Sequence, residues 1–308
     1  MASREAAAPQ LRLGLSRRRW GEDVVKAVLA LCALVSVATT VGIVVALFLP
    51  AFEFFGEISI VDFLTGTEWA PLFEPAFFGV LPLIAGTLVV TACACLVCIP
   101  FGLGAAIYLS EYAQRRTRKI LKPILEILAG IPTVVYGYFA ITFVTPRLQE
   151  LGLPVGVFSA LAAGLVMGVM LLPTVASISE DSMAAVPQDL RDGAYALGST
   201  RYQVSTRIVV PAAISGIIAS FVLATSRAVG ETMIVLIAAG GQPNWTWNPL
   251  EAMQTMTAFI AATAQGDVAT GTVAYKTIFA VGATLFVMTL VMNLVAIRLV
   301  RRFREVYE

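Results

Sequence analysis

Apolar residues run on for membrane-spanning lengths at six places: Ala27–Leu49, Phe77–Ser110, Ile127–Thr145, Leu151–Ser179, Ile208–Ala239 and Thr277–Ile297. Runs of about 20 apolar residues match a hydrocarbon core about 30 Å thick, so each predicts a transmembrane helix. Five of the runs carry no charge, and the fifth in order holds two. Pro82, Pro100, Pro132 and Pro173 fall at or near span ends or kink the helices. A bundle tolerates that where neighbouring groups satisfy the freed carbonyls. The expected fold class is all-α, a polytopic membrane protein with six transmembrane helices.

The charged residues between the runs set the orientation. Cations gather before the first run (Arg4, Arg12, Arg17, Arg18, Arg19, Lys26), after the second (Arg115, Arg116, Arg118, Lys119, Lys122), after the fourth (Arg191, Arg201, Arg207) and after the sixth (Arg298, Arg301, Arg302, Arg304). Of 21 Lys and Arg, the opposite side receives only Arg147 and Lys276. That asymmetry predicts cytoplasmic termini. The expected organisation is an inner tail at 1–26, a six-span domain at 27–297 with an inner loop at 179–207, and an inner tail at 298–308. Ala27–Leu49 exceeds the apolar core of a cleaved signal and no A-x-A site follows it, so it reads as a retained span.

Composition adds two exclusions. The chain is 58% hydrophobic and 13% charged, where soluble domains are about a quarter charged. There is no His, which removes the commonest zinc ligand and general base. Cys32, Cys93, Cys95 and Cys98 all lie in predicted spans and read as small apolar packing residues rather than metal ligands. On the outer side, Pro50–Ala76 is acidic, and Gly240–Lys276 holds a possible short helix at Leu250–Ala264. Trp245 and Trp247 there read as interfacial anchors.

Two features carry candidate chemistry. Arg227 and Glu231 are the only charges in Ile208–Ala239. Four residues apart, they share one face if the helix is continuous. Ionisable groups at that depth cost about 2.5–3.5 kcal/mol each, so a chain that keeps them uses them on a pathway, or as an ion pair joining helices. Thr87, Thr91 and Thr232 are weaker candidates for lining a path. The second feature is the inner loop Ser179–Arg207, where Gly193, Ala194, Ala196 and Gly198 would let a short helix lie flush against a partner. Asp189 is its expected N-cap. A solvated helical loop is the plain alternative.

The loop's spacing, Asp192-Gly193-Ala194, three residues, Gly198, nine residues, Ile208-x-Val210-Pro211, resembles the E-A-A-x3-G-x9-I-x-L-P loop of ABC importer permeases. The segments beginning Phe78-Gly-Val-Leu-Pro, Ile131-Pro-Thr-Val-Val-Tyr-Gly and Arg227-Ala-Val-Gly-Glu-Thr-Met resemble the permeases of phosphate-specific importers. They are closer to the C-type than to the A-type subunit. The resemblance implies the type I ABC importer permease fold. It implies that Asp192, Gly193, Ala194 and Gly198 couple to an ATPase, and that Arg227 and Glu231 belong to the phosphate pathway. It also implies partners: a second permease, two ATP-binding subunits and an extracytoplasmic phosphate-binding protein. No G-x-x-x-x-G-K-[ST] occurs, so ATP and Mg are expected on the ATPase and no cofactor on this chain. The alternatives are a permease for sulfate or molybdate, or a membrane enzyme or sensor that transports nothing.

Overall fold

The structure, a computed structural model, describes residues 20–266 and 268–302. The expected loose tail at Met1–Gln10 and the chain beyond Arg302 lie outside them. Helix α1 (Trp20–Glu57) is followed by α2 (Ile60–Thr65) and a small antiparallel hairpin, β1 (Trp69–Ala70) with β2 (Phe77–Phe78). Then come α3 (Leu81–Ile107), α4 (Arg115–Gly130), α5 (Thr133–Phe139), α6 (Thr145–Glu150), α7 (Ala160–Ala184), α8 (Gln188–Ala196), α9 (Arg201–Val204) and α10 (Val210–Ala212). The last four are α11 (Ile214–Val229), α12 (Met233–Ala238), α13 (Met256–Gln265) and α14 (Val273–Arg302). Short π-helical turns follow α3, α5 and α9. Among the described residues, those up to Leu47 form one unit and those from Phe48 onward another. In the first, α1 is exposed on every side through residues 21–43.

Helices α1, α3, α7 and α14 are each long and apolar enough to cross a membrane. Two bent pairs bring the number to six: α4 with α5–α6, bent by 88°, and α9–α10 with α11, bent by 70°. The all-α, six-span architecture expected from the runs is the one observed.

The bends correct two of the expected boundaries. The third span does not start at Ile127, because Ile131 takes an extended ψ of 129° before Pro132 and the chain turns there. The residue before a proline is disfavoured in the helical region. The third span is thus a bent pair, Arg115–Gly130 with Thr133–Glu150. The fifth run is interrupted at Ala213, two residues past Pro211 and its preceding π turn, and again at Gly230–Thr232. Prolines and π turns are the ordinary causes of such kinks.

The expected helix at Leu250–Ala264 also starts later, at Met256, where Thr255 accepts the Ala258 N–H at 3.1 Å and caps it. Part of the acidic outer loop is helical, since α1 continues through Pro50 to Glu57. Its Phe54 packs with Phe63, Trp69 and Phe259 in a buried aromatic cluster.

The core centres on α3 against α7. Val90, Ala94 and Cys98 meet Ala163, Met167, Met170 and Leu171, all buried. Gly164 and Gly168, one turn apart on α7, make this approach possible. A Cβ at Gly168 would lie 2.6 Å from the Val97 Cβ, and one at Gly164 would collide with Cys93. Lipid is as apolar as leucine, so close van der Waals fit, not the hydrophobic effect, holds such helices together. Cys93 and Cys98 serve this packing, the Cys95 thiol lies 3.4 Å from the Thr225 hydroxyl of α11, and all four cysteines of the chain are free thiols. The buried Ser179 and Ser220 hydroxyls, 2.8 Å apart, join α7 to α11. The Thr87 hydroxyl accepts the Met256 N–H at 3.1 Å and ties the start of α13 to α3.

Candidate functional site

Helix α11 ends at Val229, Gly230 to Thr232 are non-helical, and α12 restarts at Met233. Arg227 and Glu231 therefore do not share a helix face, and they form no ion pair. The expectation of an i,i+4 pair is corrected by the break between them. Glu231 faces forward along the chain. Its Oε1 accepts the backbone N–H of Met233 at 3.0 Å and of Ile234 at 3.3 Å. These are first-turn amides with no partner inside the helix, and a carboxylate suits the positive end of a helix dipole. The Glu231 carbonyl accepts the Thr257 hydroxyl at 2.6 Å, which fastens the break to α13.

Arg227 faces elsewhere. Its Nη1 donates to the Thr174 hydroxyl of α7 at 3.4 Å, and the side chain is exposed. Among the described residues no acid lies within ion-pair distance of it. It is within electrostatic reach of Tyr136. The Tyr136 hydroxyl donates to the Leu128 carbonyl at 2.8 Å and so spans the 88° bend between α4 and α5. A guanidinium with an open face and no acid is costly in hydrocarbon, so its open side calls for water or an anion. The Thr87 and Thr232 hydroxyls donate to the carbonyls of Leu83 and Gly230. That of Thr91 is buried without a partner.

At the inner loop the expected short helix is present as α8, with different details. Its N-cap is Pro187, and Asp189 stands in the first turn, where it favours the dipole without capping. Gly198 has φ +81°. Its N–H bonds the Tyr195 carbonyl at 2.9 Å, and the Ser199 N–H bonds that of Ala194 at 3.1 Å. This is a left-handed C-cap that favours glycine. Nothing lies within 4 Å of a Cβ added there, so backbone conformation and not close packing requires the glycine. Ala194 is buried among Met183, Val186 and Val204 of this same chain and does not face outward. Asp192 and Gly193 are exposed, beside the exposed Leu197 and Tyr202.

Two charged clusters escaped the sequence reading. Arg191 pairs with Glu111 at 3.1 Å, with side chains only 11% and 7% exposed. It also donates to the carbonyls of Met183 and Val186, at 2.7 and 2.5 Å, satisfying the end of α7. Glu180, 1% exposed, is held by Arg118 and by Lys122 at 2.9 Å, and Lys122 also reaches Asp181 at 3.0 Å. In sequence these cations looked like topology signals only, since their partners lie far along the chain. The one available clue was that Arg118 and Lys122 are four apart, on one helical face.

The family described as "Binding-protein-dependent transport system inner membrane component" matches residues 98–305. The probable ABC transporter permease protein YqgH of Bacillus subtilis is 35% identical over 291 residues, 93% of this chain and 94% of its own. The phosphate transport system permease protein PstC of Mesorhizobium japonicum is 31% identical over 277 residues, 83% of this chain and 82% of its own. Among solved structures, a chain of a bacterial alginate ABC transporter, in complex with its pentasaccharide-bound periplasmic protein, aligns with TM-score 0.64 at 18% identity. It covers 93% of this chain and 98% of that one. A chain of the inward-facing MetNI methionine ABC transporter aligns with TM-score 0.56 at 18% identity, over 74% and 95%. At such identity the likeness is one of fold.

Proposed function

Since the chain belongs to the family of binding-protein-dependent transport system inner membrane components, we propose that it is the permease subunit of an ATP-driven importer of inorganic phosphate. It is a multi-pass membrane protein with the type I ABC importer permease fold, and a transport subunit. The phosphate reading is supported by relatives such as the Mesorhizobium japonicum permease, which carries phosphate in its name.

One observation carries it: Arg227 is exposed within an apolar run, hydrogen-bonds Thr174 and, among the described residues, has no acid against it. Phosphate near neutral pH is a mono- and dianion. A guanidinium offers its oxygens two parallel, charge-assisted hydrogen bonds. Glu231 would repel the anion if it faced the same space, but its carboxylate is engaged with the amides of α12. Its role is to hold the break open beside Arg227 rather than to neutralise it.

The complete transporter would add a second permease, two ATP-binding subunits that bind ATP and Mg, and an extracytoplasmic phosphate-binding protein. Helix α8 would dock on the ATPase through its exposed side, with Asp192 and Gly193 at the contact. Ala194 and Gly198 would shape the helix from within. The charge asymmetry supports a cytoplasmic position for α8 and both termini, with the spans in the plasma membrane.

The test uses the complex reconstituted in vesicles. Arg227→Gln keeps hydrogen-bond donors and loses the charge. Phosphate uptake should fall at least about tenfold, the value of 1.4 kcal/mol of binding, with assembly intact. Excess sulfate should not compete in the unmodified complex. Normal uptake by Arg227→Gln would remove Arg227 from the path, and sulfate transport would favour the broader oxyanion reading.

A further inference from the structure

Thr174, the residue that Arg227 touches, also lines a cavity of about 260 Å³ between α4 and α7. Lys122, Glu126 and Glu180 stand around the same cavity. A second cavity, of about 450 Å³, is walled by α4 alone and shares Lys122 and Glu126 with the first. It adds Arg115, Arg118 and Lys119. The two adjoin at Lys122 and Glu126, and we take them together as one groove leading from Thr174 to the basic side of α4. We propose that this groove is a second phosphate site, an exit station that takes the anion from Arg227 on its way to the cytoplasm. The proposal rests on the reading of Arg227 as a phosphate ligand.

The charges along the groove suit that task. Arg115 and Lys119 are exposed, and among the described residues no acid pairs with either. Lys122 has three donors, of which Glu180 and Asp181 occupy two, leaving one for an incoming oxygen. The two carboxylates are held unequally. Glu180 is 1% exposed and keeps Arg118 as well, whereas Asp181 is 63% exposed and has only Lys122. Phosphate can therefore displace Asp181 into water while Glu180 stays paired. No carboxylate is stranded in the interior by the exchange, which would be costly. Glu126 is the counterweight: with Glu180 it sets two carboxylates against the four cations of the groove, which keeps the site from being a trap. A conducting path needs sites strong enough to receive the ion and weak enough to release it.

The bend makes the groove possible. Helix α4 lies at 88° to the span that follows it, which lays its basic face across the inner end of α7. A straight α4–α5 helix would carry those cations away from Thr174.

A phospholipid headgroup offers the same phosphate chemistry, so the test must separate it from free phosphate. The complete transporter is reconstituted in vesicles of phosphatidylcholine alone and in vesicles containing phosphatidylglycerol. The double variant Arg115→Gln with Lys119→Gln leaves the Glu180 clasp untouched. With inorganic phosphate as the probe, uptake should fall about fivefold in both vesicle types, the scale of two exposed charge contacts. Lys119→Gln alone, at an exposed position, should give a smaller loss in the same direction and guards against misassembly of the double variant. Unchanged uptake in both variants, or a loss confined to phosphatidylglycerol vesicles, would overturn the proposal. Arg227→Gln measured alongside keeps the two readings apart. If it alone loses uptake, the path stands and the groove does not. If it transports normally, the premise fails, whatever the groove variants do.

Discussion

Helices α3 and α7 and the broken elements around them handle the same membrane in opposite ways. The α3–α7 pair is continuous, apolar at its contact and packed backbone to backbone through Gly164 and Gly168. The α4–α5 and α11–α12 segments are interrupted, and Tyr136, Arg227 and Glu231 lie at or beside the breaks. An unbroken helix satisfies its own backbone and needs only a surface to fit. A broken one leaves amides and carbonyls that side chains must satisfy, and those side chains are polar. On the proposed reading, stability is thus concentrated in one pair of helices and the transport chemistry in the other elements. Substitutions should separate the two.

The largest stability effect should come where the ends of α3 and α7 are latched. Arg191→Met leaves Glu111 unpaired at 7% exposure and uncaps the Met183 and Val186 carbonyls. Loss of one partner from a buried pair costs about 3–5 kcal/mol. A thermal melt of the purified complex should drop sharply, and adding Glu111→Gln should recover a large part of it. No recovery would show that the carbonyl contacts, not the charge pair, hold the latch.

Gly168→Leu comes next. The added side chain meets Val97 and the Ala94 carbonyl, and overpacking costs about 1–3 kcal/mol. A reduced melting temperature with poor membrane yield is expected. An unchanged melt would mean that α3 and α7 are free to separate.

Glu231→Ala removes the cap of α12 and should cost about 1 kcal/mol, with Glu231→Gln partly restoring it because an amide oxygen still accepts. If Gln behaves like Ala in the melt, the charge at the helix end is what counts. Smallest of all in stability should be Arg227→Gln, since among the described residues its side chain makes a single hydrogen bond, the 3.4 Å approach to Thr174. The same change should have a large effect on uptake. A melt as damaged as that of Arg191→Met would erase the contrast between the two regions.

The straight elements were legible because run length and absence of charge are enough to define them. Helices α1, α3, α7 and α14 each fall on a predicted run. The breaks were harder. Pro132 permits either a kink or a helix end, and only the packed structure selects the turn at Ile131. At Arg227 and Glu231 the four-residue spacing presumed an unbroken helix, although Gly230 between them was the available warning. The helix of the inner loop was anticipated, but reasons were misassigned to two of its residues. Ala194 is small because it is buried in this chain, and Gly198 is glycine because of its positive φ. Arg191 with Glu111, and Lys122 with Glu180, were invisible because pairing across 80 and 58 residues depends on how α3, α4, α7 and α8 pack.

The cap on α12 has a bearing on the transport cycle. The Met233 and Ile234 amides are already satisfied by Glu231, so the interruption of the span persists with no cargo present. Those two amides should exchange slowly with deuterium in the empty protein, unlike the frayed ends of an uncapped helix. The gap is built at folding, once, and is not recreated at every turnover. On the proposed pathway, each arriving ion would then meet a backbone that loses little further conformational entropy.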